Sequence, residues 1–195
     1  MTAKREQILR NKRCLLAPLA LLALFPWLHN FSYAEREIPT IPPGREFKWD
    51  IGPKDSRIEV EFMVTEYRVY EFHIGFGNKD DPAAKDQSWR DDDNNWAFIN
   101  GGRNMLDNGI VVPVYIKVER LDAPATTALI TEQTIDTYKL RAGGRLVLRT
   151  ITYQKLRPGK YRVTTMTTRE SPLPGTLGSY LHIGFYPKAA VLNDN

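Results

Sequence analysis

The sequence predicts an all-β fold: an antiparallel β-sandwich, Ig-like or Greek-key, with about eight strands and one long polar loop. Three observations carry this. Apolar and polar residues alternate through Ile58 to Val64, Tyr67 to Phe76 and Ile110 to Leu121, the period-two signature of strands with one buried face. Glycine and proline punctuate the intervals between such runs, as turns require. Helical periodicity is almost absent, and many short strands with frequent turns fit a two-sheet architecture.

The first 34 residues read as an export signal. Lys4, Arg5, Arg10, Lys12 and Arg13 form a cationic segment, and an apolar run follows from Cys14 to Leu28, broken by Pro18 and Pro26. Ser32-Tyr33-Ala34 then offers the small-x-small pattern of a signal peptidase site, so the mature chain is expected to begin at Glu35, in the periplasm or outside the cell. The apolar run falls short of the about 20 residues a spanning helix needs, so no membrane span is expected after cleavage. Residues 35–46, with Pro39, Pro42, Pro43 and Gly44, read as an extended lead-in. Residues 47–195 read as one β-sandwich domain.

Removing the leader changes the charge. The chain has 27 basic and 23 acidic residues, of which the leader takes five basic and Glu6, leaving 22 of each. The pI of 9.1 therefore gives no reason to expect a nucleic-acid partner. The only cysteine, Cys14, leaves as well, so thiol catalysis, disulfides and cysteine-held metals are excluded from the mature chain. A domain of about 160 residues buries a sufficient core without them.

Within the domain a strand signal begins near Phe47. Ile58, Val60, Phe62 and Val64 share one face of the next strand, and Tyr70, Phe72, Ile74 and Phe76 share one face of the strand after it. Residues 78–109 break the pattern, with room for a short helix near Ser88 to Ile99. A loop of that length inside a compact domain is more often functional than idle. Val112, Val114, Ile116 and Val118 restore the alternation, and Pro113 among them suggests an edge strand. A weaker strand spans Ala128 to Ile135. Leu146 to Leu156 and Lys160 to Arg169 predict a hairpin turning through Arg157-Pro158-Gly159-Lys160, with Pro presetting φ and Gly supplying positive φ. Ser171 to Gly178 is a Pro/Gly linker before a last strand, Ser179 to Tyr186.

His-Ile-Gly-Phe occurs twice, at 73–76 and 182–185. Four residues are too few to establish a repeat. The alternative is that the two strands are equivalent elements of the sandwich, even neighbours. In both copies Ile and Phe share a face and His points the other way. The two histidines could ligate a metal if the strands abut, but no third ligand is identifiable.

The usual catalytic signatures are missing: no nucleophile elbow, zinc-protease helix, phosphate-binding loop or dinucleotide fingerprint. No catalytic residue, resident metal or cofactor is assigned. The densest polar cluster is Asp80, Asp81, Asp86, Asp91, Asp92, Asp93, Asn94 and Asn95, flanked by Trp89 and Trp96. Such oxygen density could hold calcium, though the spacing is not that of an EF-hand. Tryptophans beside carboxylates also make a protein-recognition surface, so Trp89, Asp91, Asp92, Asp93 and Trp96 are the candidate partner-binding residues. The alternative role for both tryptophans is to pin the loop to the sandwich. Opposite charge collects later, with nine basic and no acidic residues from Tyr138 to Arg169. Segregated charge of this kind favours an oriented encounter with a charged partner, unless it balances across the folded surface.

Several segments carry a family resemblance. They are Ile58-Glu59-Val60-Glu61-Phe62 running into Tyr70-Glu71-Phe72, then Val112-Pro113-Val114-Tyr115-Ile116-Lys117-Val118-Glu119-Arg120-Leu121. Leu156-Arg157-Pro158-Gly159-Lys160-Tyr161-Arg162-Val163 and the closing Ile183-Gly184-Phe185-Tyr186-Pro187-Lys188 complete the set. Together they resemble an uncharacterised family of exported bacterial proteins, a domain of unknown function, across most of residues 47–188. Such proteins are similar in design to periplasmic immunity proteins paired with type VI secretion effectors. The resemblance supplies no catalytic residues. The expectation is an exported, non-enzymatic binding protein, an immunity or inhibitor protein against a toxin or hydrolase. The alternative is a lectin-like or calcium-dependent carbohydrate-binding sandwich, and a hydrolase using a metal on His73 and His182 is the least favoured reading.

Overall fold

The computed structural model describes residues 39–40, 44–81, 88–100, 109–122, 127–143, 145–188 and 191–192. All of them belong to the unit Ile38–Asn195, so the expected export signal and the expected cleavage site lie outside the described residues. Among the described residues there are nine strands: β1 (Gly44–Lys48), β2 (Arg57–Val64), β3 (Arg68–Asn78), β4 (Pro113–Arg120), β5 (Ala128–Asp136), β6 (Tyr138–Gly143), β7 (Leu146–Leu156), β8 (Gly159–Thr167) and β9 (Leu177–Phe185). One short helix, α1 (Asp93–Asn100), follows a 3₁₀ turn at Ser88–Arg90.

The strands form two antiparallel sheets, β1-β9-β3-β7-β6 and β2-β8-β4-β5. Their inner faces meet in one core, where Phe62 of β2 touches Phe72 of β3 edge to face at 6.3 Å. Val60, Phe62 and Val64 of β2 are buried there, as are Tyr70, Phe72, Ile74 and Phe76 of β3. Val114, Ile116, Val163 and Ile183 complete the expected inner phase. Phe185, at the end of β9, is only partly buried and packs edge to face on Tyr70. Alternation forces this outcome, because a one-residue slip would carry the whole apolar set of a strand into water.

Three expectations are corrected. The turn from Leu156 to Gly159 is no hairpin, because β7 pairs with β3 and β6 while β8 pairs with β2 and β4. Each strand has both edges occupied, so the turn carries the chain from one sheet to the other. Gly159 takes a φ of +154° there. The Tyr161 hydroxyl donates to the Arg157 carbonyl at 2.9 Å. The β2–β3 crossing repeats the device with Tyr70 and the Glu66 carbonyl, at 3.4 Å. Burial pushes the Tyr70 hydroxyl up to about 12. Second, β4 is an interior strand. Pro113 is tolerated because it is the first residue of that strand, where a missing N–H disrupts little of the ladder. Third, β6 falls outside the expected set, and β1, the strand expected near Phe47, begins earlier, at Gly44 inside the expected lead-in.

β5 passes into β6 through a single residue. Thr137 is buried, donates its N–H to the Val112 carbonyl and accepts the Val112 N–H on its hydroxyl. That clamp fixes the point where the chain changes sheets.

Candidate functional site

The described part of the polar loop packs on the sandwich core through Trp89, Trp96, Phe98 and Ile99. Asp92 caps α1: its carboxylate accepts the Asn94 N–H at 2.8 Å and its carbonyl accepts the Asn95 and Trp96 N–H groups. This satisfies the orphan donors of the first turn. Asn95 is fully buried, and its amide donates to the Trp89 carbonyl at 2.6 Å and to the Thr176 hydroxyl at 3.1 Å. The linker is thereby tied to the helix.

The far end of α1 is held by Arg149 of β7. The Arg149 guanidinium is buried and donates to the Ile99 carbonyl through Nε at 3.2 Å and Nη2 at 2.5 Å. A cation at a helix C-terminus is favourable, although burial pushes this guanidinium below its usual value. Gly109, at a φ of +56°, passes so close that a Cβ would lie 2.1 Å from the Ile99 oxygen. The sequence carried a signal for this contact. Arg149 interrupts the inward phase of β7 between Val147 and Ile151, and an arginine in a core phase needs a buried acceptor.

The candidate partner-binding residues divide. Trp89 is only 3% exposed and belongs to the core. Trp96 packs against that core and donates its indole N–H to the Arg90 carbonyl. Both indoles therefore pin the loop, with the Arg90 guanidinium 5.1 Å from the Trp89 ring centroid. Asp91, Asp93 and Asn94 are exposed, whereas Asp92 is spent on the cap. Asp86 lies outside the described residues. Beside the helix an open cavity of about 320 Å³ is lined by Asn78, Lys79, Asp80, Ser88, Trp89, Asp92, Gly175 and Thr176.

The histidines do abut. β3 and β9 pair antiparallel with His73 directly opposite His182, and the rings lie 5.8 Å apart on the outer face of their sheet. Each ring meets a carboxylate, His73 Nε2 with Glu71 at 3.1 Å and His182 Nδ1 with Glu46 at 3.2 Å. Among the described residues no group of three or more histidine, cysteine or acidic side chains is placed to hold a metal ion.

Among the described side chains of the basic stretch after Tyr138, Arg149, Lys160 and Arg162 do not gather into one patch. Arg149 is buried under α1. Arg162 binds Glu61 at 2.6 Å and Glu59 at 3.4 Å, and Lys160 binds Glu61 at 3.1 Å. These contacts balance charge across the four-stranded sheet, and the Arg162 hydrogen bond, opposed by burial and aided by Lys160, holds the Glu61 carboxyl below its usual value.

Residues 46–185 match the family described as a domain of unknown function, DUF5625. The chain belongs to that family. Its DUF5625 domain runs from within β1 to the end of β9, so it contains the polar loop, the linker and both histidines. A crystal structure of a Sulfurospirillum deleyianum protein is similar at 18% sequence identity, with a TM-score of 0.59 over 75% of this chain and 99% of that one. The likeness is one of fold. No curated protein matches the DUF5625 chain. Among the described residues no helix is long and apolar enough to cross a membrane.

Proposed function

We propose that this DUF5625 protein is an exported, non-enzymatic binding protein, a periplasmic immunity or inhibitor protein that neutralises a toxin or hydrolase. The observation that supports this most is the pinned polar loop. Trp89, Trp96, Asn95 and Arg149 fasten the turn and helix to a rigid sandwich, and Asp91, Asp93 and Asn94 remain exposed on it. Carboxylates on a preorganised element bind with little ordering cost and steer a basic partner. The test is calorimetric titration of the toxin or hydrolase encoded beside this gene. Asp91→Ala/Asp93→Ala should weaken binding by more than about 2 kcal/mol, the threshold of a hot spot, with an unchanged melting temperature. Full-strength binding by that variant moves the recognition surface elsewhere.

A second reading has one observation in its favour. The 320 Å³ cavity combines Asn78, Asp80, Asp92 and Thr176 with an edge of Trp89, a polar lining suited to a sugar, with or without calcium. A chelator should then lower the melting temperature, because an ion bound only to the folded state stabilises it. Equal melting temperatures in chelator and in calcium remove the calcium-dependent form.

A further inference from the structure

Four strands form the edges of the two sheets: β1 and β6, β2 and β5. An unpaired edge is a template for another strand, and proteins protect such edges with short length, lysine, proline or a covering segment. Three of the four carry such a device. β1 has five residues and includes Arg45 and Lys48. β6 has six residues and includes Lys139 and Arg141. β2 is partly covered by the lead-in, where Thr40 bridges Met63 in parallel and the Met63 N–H donates to the Pro39 carbonyl.

β5 is the exception. It is nine residues long, Ala-Leu-Ile-Thr-Glu-Gln-Thr-Ile-Asp, with no proline and no basic residue. Among the described residues its only strand partner is β4. A register shift opposite Val118 and Glu119 puts Leu129 and Ile130 side by side at the surface, 55% and 38% exposed. Glu132 and Asp136 are exposed further along. Lys117, opposite Glu132 on β4, pairs with Glu119 at 2.7 Å, and the Glu132 carboxylate accepts the Tyr115 hydroxyl at 2.7 Å. The edge therefore combines an apolar step with two exposed carboxylates on a strand that has no basic residue of its own.

We propose that the outer edge of β5 is a strand-docking site for a partner protein. An extended segment carrying lysine or arginine beside β-branched residues adds beyond β5, with main-chain hydrogen bonds supplying affinity and Glu132, Asp136, Leu129 and Ile130 supplying selectivity. This rests on the reading of the chain as a protein-binding module and gives that module a second contact surface, apart from the polar loop. The charge along β5 disfavours a second copy of the same strand, because β5 has no basic residue to set against Glu132 and Asp136.

The test uses the isotope-labelled mature chain and the synthetic peptide acetyl-Lys-Val-Thr-Val-Lys-Val-Thr-Lys-amide. Titration should shift the backbone amides of β5 and slow their hydrogen exchange, with little effect at Asp91 to Asn95. The peptide with Glu in place of every Lys should bind about tenfold more weakly, and Glu132→Lys/Asp136→Lys should reverse that preference. Two results overturn the proposal: no perturbation of β5 by the peptide, or equal affinity for the acidic and basic peptides. A third is sedimentation as a dimer that Ile130→Lys converts to a monomer, which would assign the edge to a second copy. The peptide result is independent of the neighbouring-gene titration, so the edge proposal and the neutralisation reading fail separately.

Discussion

His73 and His182 face each other across neighbouring antiparallel strands, and each is hydrogen-bonded to its own carboxylate. The His182 contact reaches β1 through Glu46, so it ties the first strand of the domain to the last. It also holds the Glu46 carboxyl below its usual value, with burial opposing the shift.

Acid should therefore loosen the β1–β9 edge. A carboxyl whose folded value is depressed contributes stability that is present above its ordinary value and lost as pH falls through the folded one. Glu46 and Glu61 are both depressed. The urea midpoint should fall steadily as pH drops from about 5 towards about 3. Glu46→Gln should flatten part of that slope. An unaltered slope in the Gln variant would mean the His182 contact does not persist in solution.

The core pair Phe62 and Phe72 is one of the contacts between the sheets. Phe72→Ala should cost about 3–5 kcal/mol. A double-mutant cycle with Phe62→Ala should show a coupling of about 0.5–1.5 kcal/mol, as edge-to-face pairs give. Wild-type stability in Phe72→Ala would contradict the assigned strand phase.

Trp89 and the loop carboxylates should behave differently on truncation. Trp89→Ala should destabilise by about 3–5 kcal/mol, since the ring is core. Asp91→Ala/Asp93→Ala should stay within about 0.5 kcal/mol of wild type, as exposed sites do. Equal melting temperatures for the two variants would place the indole at the surface.

Arg149→Leu should release the C-terminal end of α1. The Ile99 carbonyl would lose both guanidinium hydrogen bonds, a cost of about 1.5–3 kcal/mol for a charged partner. Hydrogen exchange should accelerate across Asp93 to Asn100 before it does in β3 or β7.

Alternation made most of the sandwich legible in the sequence. The inward phases of β2, β3, β4 and β9 were readable because each strand buries one face against the other sheet. Pairing was not readable. β7 and β8 look like a hairpin, and only the occupied edges of both strands show that the turn crosses between sheets. β6 was missed because its residues, Tyr-Lys-Leu-Arg-Ala-Gly, alternate weakly and follow β5 without a turn signal. At the site, the tryptophans were found and their pinning of the loop was one of two readings left open, since composition does not distinguish an anchor facing a partner from one facing the core. The inward Arg149 was the overlooked clue that the helix had a fixed seat.

The most direct measurement of the central claim is a neutralisation assay in the periplasm, the compartment of the proposed function. The toxin or hydrolase encoded beside this gene is expressed in the periplasm of a bacterial host, with and without the full-length chain. Co-expression should restore growth, and Asp91→Ala/Asp93→Ala should abolish the rescue while the protein accumulates to the same level. Absence of any such neighbouring product, or growth arrest that the wild-type chain leaves unchanged, would contradict the assignment as an immunity or inhibitor protein.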